Sequence, residues 1–483
     1  MFTKKNKKMI GGIPIYPGGY SCVFKPQLKC KTRTKKIKRD ANNGKRNNKS
    51  NSNGDGDKGI SKLLFKKYAD IEMINIEHFY NALKKIPKSH KYFLFTRTTA
   101  CPPAKISTRD LRGFDEMCTN FTSHDVNESN INSPSVIRSL KLINMPDAGI
   151  SINEWLFIKD KDAVAVTPLN LTRLKAFNKV VSKLIVNAIV PMNRQGVIHN
   201  DMKEDNILIK DKDKDVPPGP KHNINIKTIK TNTKTIPVPT IIDWGISGIS
   251  TRHEPIPEII MNRYISISNP FSSILFTTEF SKNYSDFLKQ NGVSDMRKMQ
   301  NDSSFQQKLR DFSLSQYLKH KEAGHYSHIQ KFFTNAFRLF PDLFDSSSSS
   351  SSWPSIISRF PPQQQQIKTP EELYHTLASN YISDVLVRFT DLDERDGIAR
   401  FQYVQYFTKV YIFNCDIWGT AFCYSVFFSF QDAYKYDEYI GIDPDAYSQF
   451  LRSVLSIYMS QIMINGHEKI NVSTLVKSIQ SSV

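Results

Sequence analysis

The chain has 483 residues and a formal net charge of +20, and its length alone would allow two or three domains. Most of the charge is local, because residues 1–50 carry 12 Lys and 3 Arg against Asp40, a net +14. Such a segment is typical of a tether to nucleic acid, an anionic membrane or an acidic partner, or of a solubilising arm. A sequence-specific nucleic-acid reader is disfavoured, since no zinc spacing, helix-turn-helix or RNA-binding signature accompanies the charge.

The first predicted elements are strands. Residues 15–25 carry Pro17-Gly18-Gly19 between apolar residues, which predicts a hairpin. Its glycines lack a Cβ and would also let a phosphate approach the backbone closely. Residues 29–58, rich in Lys, Asn and Gly, are predicted to be disordered. Residues 59–65 place apolar residues on both sides of Lys62 and predict the next strand.

A helix, a strand and a second helix follow. Residues 68–76 predict a helix that carries Glu72, and residues 140–149 predict a strand followed by a hinge. Between residues 171 and 194, apolar side chains recur at three- and four-residue spacing, which indicates one buried face of a helix. Gly196 is expected to end that helix.

Two motifs then supply the groups that phosphoryl transfer from ATP requires. The sequence HNDMKEDN at residues 199–206 contains a carboxylate to orient the accepting hydroxyl, Asp201, and a cation, Lys203. Asn206 and the Asp243 of TIIDWG at residues 240–245 add the amide and second carboxylate that hold magnesium. Either motif alone could be an ordinary loop, but their order behind a predicted helix favours a kinase active site.

These motifs resemble those of protein kinases, in particular the divergent serine/threonine kinase-like proteins of large DNA viruses. The resemblance implies an α+β, bilobal fold: a basic tail at residues 1–9, a β-rich small lobe at 10–144 and a mostly helical large lobe at 149–475. It implies that Asp201 is the catalytic base, that Lys203 steadies the moving phosphate, and that Asn206 and Asp243 bind Mg²⁺. Lys203 matches the serine/threonine pattern rather than the tyrosine pattern.

The same resemblance assigns ATP-binding roles in the small lobe. The residues concerned are Gly18, Gly19, Val23, Lys62 and Glu72, with Glu77 as a second candidate for the partner of Lys62. The glycine-rich loop is eroded, because Tyr16 and Ser21 occupy two of the three positions where the family has glycine. Asn200 stands where the family usually has the Arg that contacts a phosphate on the activation loop.

Downstream, NCDIWGTA at residues 414–421 resembles the start of the central helix of the large lobe, where the family's Asp braces the catalytic loop. The apolar run at residues 410–430 would be long enough to suggest a membrane span. We reject that interpretation because Asp416 would lie near its middle, at a cost of about 2.5–3.5 kcal/mol. Insertions are expected at about residues 210–239 and 250–400; the second contains a serine run and a glutamine run.

Six cysteines, at positions 22, 30, 101, 118, 415 and 423, show neither a Cys-x-x-Cys pair nor a dense framework. The spacing therefore does not indicate disulfides. The N-terminus lacks the apolar core of a signal peptide. These features predict an intracellular protein, located in the host cytoplasm or the virion if its source is viral.

The favoured function is an ATP- and Mg²⁺-dependent serine/threonine protein kinase, whose partner is a protein with a Ser or Thr acceptor. A small-molecule phosphotransferase of the aminoglycoside or choline kinase type is an alternative, because such enzymes share His-x-Asp-x-x-x-x-Asn and often Ile-Asp-Trp. A pseudokinase scaffold is the third possibility, which the eroded glycine loop favours.

Overall fold

The computed structural model describes residues 13–18, 21–31, 59–157, 169–210, 237–293, 301–344, 367–393, 396–429 and 440–483. The chain divides into two units, the small unit Met1–Gly149 and the large unit Ile150–Val483. Helices and small antiparallel sheets occur in both units, so the mixed α and β class predicted from the sequence is confirmed.

A five-stranded antiparallel sheet, in the order β1-β2-β3-β5-β4, forms the base of the small unit. Its strands are β1 (Ile13–Gly18), β2 (Ser21–Lys25), β3 (Gly59–Phe65), β4 (Thr99–Cys101) and β5 (Leu140–Pro146). The hairpin of β1 and β2 closes at the pair Gly18 and Ser21, and Gly19 falls between them, outside the described residues. The predicted strand at residues 59–65 is confirmed, as is a strand in the first part of residues 140–149.

One long helix accompanies this sheet. The helices of the small unit are α1 (Lys66–Leu83), α2 (Ser89–Tyr92), α3 (Phe114–Met117), α4 (Thr119–Thr122) and α5 (Pro134–Ser139), with a 3₁₀ turn at Leu94–Arg97. α1 follows β3 directly and buries Ile76, Phe79 and Leu83, whose three- and four-residue spacing makes one apolar face. It is longer than the helix predicted at residues 68–76.

Two disulfides in the small unit contradict the expectation drawn from cysteine spacing. Cys22 is bonded to Cys118 and Cys30 to Cys101, with Cα separations of 5.4 and 5.7 Å. The partners are 96 and 71 residues apart in sequence. Cys22 lies on β2 and Cys101 on β4, so the sheet and the helical segments packed on it bring each pair together. Local spacing rules cannot detect such pairs.

The large unit is mostly helical. Its helices are α6 (Ile152–Leu156), α7 (Leu171–Leu184), α8 (Val190–Arg194), α9 (Thr278–Gln290), α10 (Ser303–Leu318), α11 (Tyr326–Leu339), α12 (Pro370–Phe389), α13 (Tyr403–Tyr406), α14 (Ile412–Phe422), α15 (Pro444–Ile457) and α16 (Val472–Ser481). The predicted helix at residues 171–194 is confirmed as α7 and α8, joined by a π turn at Ile185–Ile189. Pro191 lacks an N–H to donate, so a local widening of the helix beside it is expected.

In the part that the structure describes, the large unit contains three small antiparallel sheets, and two of them frame its two sequence motifs. They are a three-stranded sheet of β6 (Ile150–Ser151), β8 (Ile207–Ile209) and β9 (Pro239–Ile241), the pair β7 (Val197–Ile198) and β10 (Gly248–Ile249), and the pair β11 (Thr390–Leu392) and β12 (Ala399–Phe401). β7 leads into residues 199–206 and β8 leads out of them. β9 ends just before Asp243, and its antiparallel pairing with β8 confirms the hairpin expected around residues 210–239.

The region predicted as an insertion at residues 250–400 supplies four of the helices, α9 to α12. α9 buries Phe280, Tyr284 and Leu288 at four-residue intervals, as a helix packed against a core requires. The serine and glutamine runs lie outside the described residues. This region therefore belongs in large part to the ordered helical body of the large unit.

Within the described residues, no helix is both long and apolar enough to cross a bilayer. The apolar run at residues 410–430 includes α14, which has 11 residues and continues into a 3₁₀ segment at Cys423–Ser429. Every residue of α14 except Phe413 is buried. A helix that is apolar all round is expected in the centre of a large helical unit as well as in a membrane.

Candidate active site

In the small unit, the structure brings together the predicted pair Lys62 and Glu72. The Lys62 Nζ lies 2.9 Å from the Glu72 Oε1, and both side chains are partly buried. β3 presents the lysine and the first turns of α1 present the glutamate, ten residues later in the chain. Glu77, the second candidate, is exposed on the same helix.

The other small-unit candidates lie on the adjacent hairpin. Val23 on β2 is the direct cross-strand partner of Lys62 on β3, so the two side chains share one face of the sheet. Gly18 is the last residue of β1. Gly19 lies outside the described residues, and the geometry of the glycine pair therefore stays a prediction.

In the large unit, a buried carboxylate holds the loop of residues 199–206. Asp416 on α14 accepts hydrogen bonds from the backbone N–H groups of His199, at 3.0 Å, and Asn200, at 2.9 Å. The side-chain amide of Asn193 donates a third bond at 2.8 Å. Asp416 is fully buried, and burial raises the pKa of its carboxyl group, while His199 and these donors oppose the rise. Asp416 thus ties α14 and α8 to the loop backbone.

The loop presents three candidate residues as one hydrogen-bonded cluster. The Lys203 Nζ lies 3.0 Å from the Asp201 Oδ2. The Asn206 Nδ2 donates to the same carboxylate oxygen at 2.9 Å and to the Asp201 backbone carbonyl at 2.8 Å. Burial by itself lowers the pKa of Lys203, but Asp201, with help from Asp243 and Asp205, outweighs burial and raises the pKa above its usual value. Lys203 is therefore a cation at neutral pH.

Asp243 lies two residues after β9, the strand paired with β8. The N–H of Ile242 donates to the Asn206 carbonyl at 3.0 Å, which places Asp243 one residue beyond that backbone bond. The His199 Nε2 contacts the Ile242 carbonyl at 2.9 Å, and the His199 ring meets the Trp244 ring edge-on. Asp243 itself has a positive φ of 61° and an exposed side chain.

A metal centre built only from protein ligands is not found in the described part of the chain, because no group of three or more His, Cys, Asp or Glu side chains is suitably placed. Mg²⁺ does not require such a group, since it is commonly held by one or two carboxylates together with substrate phosphates and water. Asn206 uses its amide nitrogen for both bonds to Asp201. Its amide oxygen and the exposed Asp243 carboxylate are oxygen donors of the kind that Mg²⁺ takes.

Sequence reasoning missed one contact of Asp201. The Ser268 Oγ lies 3.5 Å from the Asp201 Oδ1, although 67 residues separate the two in the chain. Gly419 on α14 makes room for this approach, because a Cβ there would lie 2.4 Å from the Met202 carbonyl and 2.8 Å from the Ser268 carbonyl. Nothing in the local sequence around Ser268 marks it.

No protein-family model matches the sequence, and the curated proteins contain no significant match to it.

The environment of Asn200 bears on the predicted kinase activity: it predicts that such activity would be independent of phosphorylation in the segment after Asp243. Asn200 is 2% exposed, has a positive φ of 64° that Asn tolerates better than most residues, and accepts a contact from the Cys415 thiol. A short, buried, neutral side chain cannot make the bidentate contact that Arg makes with a phosphate. Phosphatase treatment of active enzyme is therefore expected to leave turnover nearly unchanged. A large loss that autophosphorylation restores would contradict this prediction.

Proposed function

We propose that the protein is an ATP- and Mg²⁺-dependent protein kinase that phosphorylates Ser or Thr hydroxyls. The observation that carries the proposal is the cluster of Asp201, Lys203 and Asn206, held from behind by the buried Asp416. A carboxylate, an ammonium group and a side-chain amide occupy adjacent positions on a braced loop, the three groups that a base, a cation and a metal ligand would require. The small unit and the large unit would be the two lobes of a protein-kinase fold.

The residues of the large unit suit an in-line transfer to a hydroxyl. Asp201 would accept the hydrogen bond of the acceptor hydroxyl, orient its oxygen toward the γ-phosphate and take the proton as the new P–O bond forms. The bond between the γ-phosphorus and the bridging oxygen breaks in the same transfer, and ADP leaves with that oxygen. Lys203, already a cation beside Asp201, would stabilise negative charge on the phosphoryl oxygens. Mg²⁺, when bound by Asn206 and Asp243, supplies charge neutralisation on the phosphates.

In the small unit, Lys62 would contact the α- and β-phosphates, and Glu72 would fix the position of its ammonium group. The pair is supported by its 2.9 Å contact and by its partial burial, which limits screening by water. Val23, the cross-strand neighbour of Lys62, would provide an apolar surface for the nucleotide base.

Transfer of labelled phosphate tests this proposal against its two alternatives. Purified protein would be incubated with γ-labelled ATP and Mg²⁺, in separate reactions with casein, histone and choline, and an Asp201→Asn sample would serve as the control for contaminating kinases. Label on protein Ser or Thr that the control lacks supports the proposal. Label on choline alone would point to a small-molecule phosphotransferase, and no transfer to any acceptor to a scaffold.

A further inference from the structure

A row of polar side chains runs from Asp201 to a histidine at the start of α11. The Ser268 Oγ lies 3.5 Å from the Asp201 Oδ1, and 2.8 Å from the Ser266 Oγ. The Ser266 Oγ lies 3.2 Å from the Nδ1 of His325. Four side chains from three separate parts of the sequence are thus joined by consecutive hydrogen bonds.

The backbone on either side of the Gly324–His325 bond packs closely against the backbone of Ile265. The N–H of His325 donates to the Ile265 carbonyl at 2.8 Å. The preceding residue, Gly324, has a φ of 62°, and a Cβ there would lie only 2.2 Å from the same carbonyl. The two segments therefore meet at a distance that glycine permits, and the backbone of His325 is held beside Ser266 independently of its side-chain bond.

The proton positions in this row follow from donor and acceptor chemistry. A carboxylate paired with the Lys203 ammonium can only accept, so a bond from Ser268 to Asp201 uses the single hydroxyl proton of Ser268. In that arrangement Ser268 accepts from the Ser266 hydroxyl, and the Ser266 oxygen, which also accepts from the Ser268 N–H at 3.3 Å, accepts from His325. Burial lowers the pKa of His325, with His328 and Lys203 adding to the effect and Asp201 opposing it. A neutral ring has one N–H, and the row requires it on Nδ1.

We propose that His325 is a positioning residue for Asp201, acting through Ser266 and Ser268; this inference rests on the proposed function. The Asp201 Oδ2 is held by Lys203 and Asn206, and the row of hydroxyls holds the Oδ1. Together the contacts fix the rotation of the carboxylate. Transfer is slower when the carboxylate that must orient the acceptor hydroxyl can itself rotate freely.

The test compares substitutions of His325 with one at a matched neighbour. His325→Ala removes the donor but keeps the backbone bond to Ile265, and is expected to lower kcat about tenfold, the effect of one hydrogen bond, with KM for ATP unchanged. His325→Asn places an amide N–H near the position of Nδ1 and should restore kcat to within about threefold of wild type. His328→Ala, at the exposed histidine that stacks on His325, should behave as wild type.

Two further measurements separate this inference from the proposed function. Ser266→Ala combined with His325→Ala should lose no more activity than either change alone, since both break the same row. The nitrogen-15 shifts of the His325 ring, assigned with the His325→Asn sample, should show the proton on Nδ1, a result that needs no activity. A proton on Nε2, or His325→Ala with wild-type kcat, would overturn the inference alone. A wild-type protein that transfers no phosphate would instead overturn the proposed function.

Discussion

Replacing Asp201 by Asn is expected to abolish phosphoryl transfer while nucleotide binding stays close to that of the wild type. An amide cannot accept the proton of the acceptor hydroxyl, and loss of a general base lowers rates by about a hundredfold to ten-thousandfold. The amide oxygen of Asn can still accept from Lys203 and Asn206, so the substitution removes the base and leaves the neighbouring groups in place. Turnover and ATP affinity would be measured on the same samples. Asp205→Asn, an exposed carboxylate on the same loop, is the matched control.

Asp243→Asn provides the contrast that makes this first prediction specific. Asp243 is expected to bind the metal rather than the acceptor, so its substitution should weaken magnesium-dependent nucleotide binding as well as turnover. ATP affinity would be measured with and without Mg²⁺ for both variants. Equal ATP affinity and equal residual turnover in the Asp201 and Asp243 variants would contradict the roles assigned to them.

Replacing Asp416 by Ala is expected to have the largest effect on the stability of the large unit. The substitution leaves two buried backbone N–H groups and the amide of Asn193 without their acceptor. Each unsatisfied buried donor costs about 1–3 kcal/mol, so a destabilisation of at least about 3 kcal/mol is expected. The loop of residues 199–206 should lose its fixed conformation, and the proposed phosphoryl transfer should be lost with it.

Hydrogen exchange and denaturant unfolding would check this second prediction. The backbone N–H groups of His199 and Asn200 should exchange much faster in the Asp416→Ala protein. Asp445→Ala, an exposed carboxylate in the first turn of α15, is the control and should change neither measurement appreciably. Unchanged exchange at His199 and Asn200 would show that other contacts hold the loop.

The parts of the site that are local in sequence were predictable. Asp201, Lys203 and Asn206 lie within one short loop, and ten residues place Lys62 beside Glu72 across a strand-to-helix junction. The helix before the loop has a strong apolar period. In each case the side chains that meet are close in sequence, on one element or on two that follow each other directly.

The contacts between distant segments were not predictable in the same way. Ser268 and His325 reach Asp201 only because helices from the region predicted as an insertion pack into the large unit, and a short polar segment carries no periodic signal for this. Cys22 and Cys118 likewise meet through the order of strands and helices in the small unit. The brace from Asp416 was foreseen only through resemblance to a known family.

The two disulfides of the small unit are nested: the bond between Cys30 and Cys101 lies inside the span closed by Cys22 and Cys118. Both spans enclose residues 32–58, where nine Lys and Arg residues offer sites to a trypsin-like protease. A chain cut anywhere in this stretch would remain one covalent molecule, since each bond joins the piece before the cut to the piece after it. Cleavage there would therefore leave the apparent molecular mass of the protein unchanged until a reductant separates the two fragments.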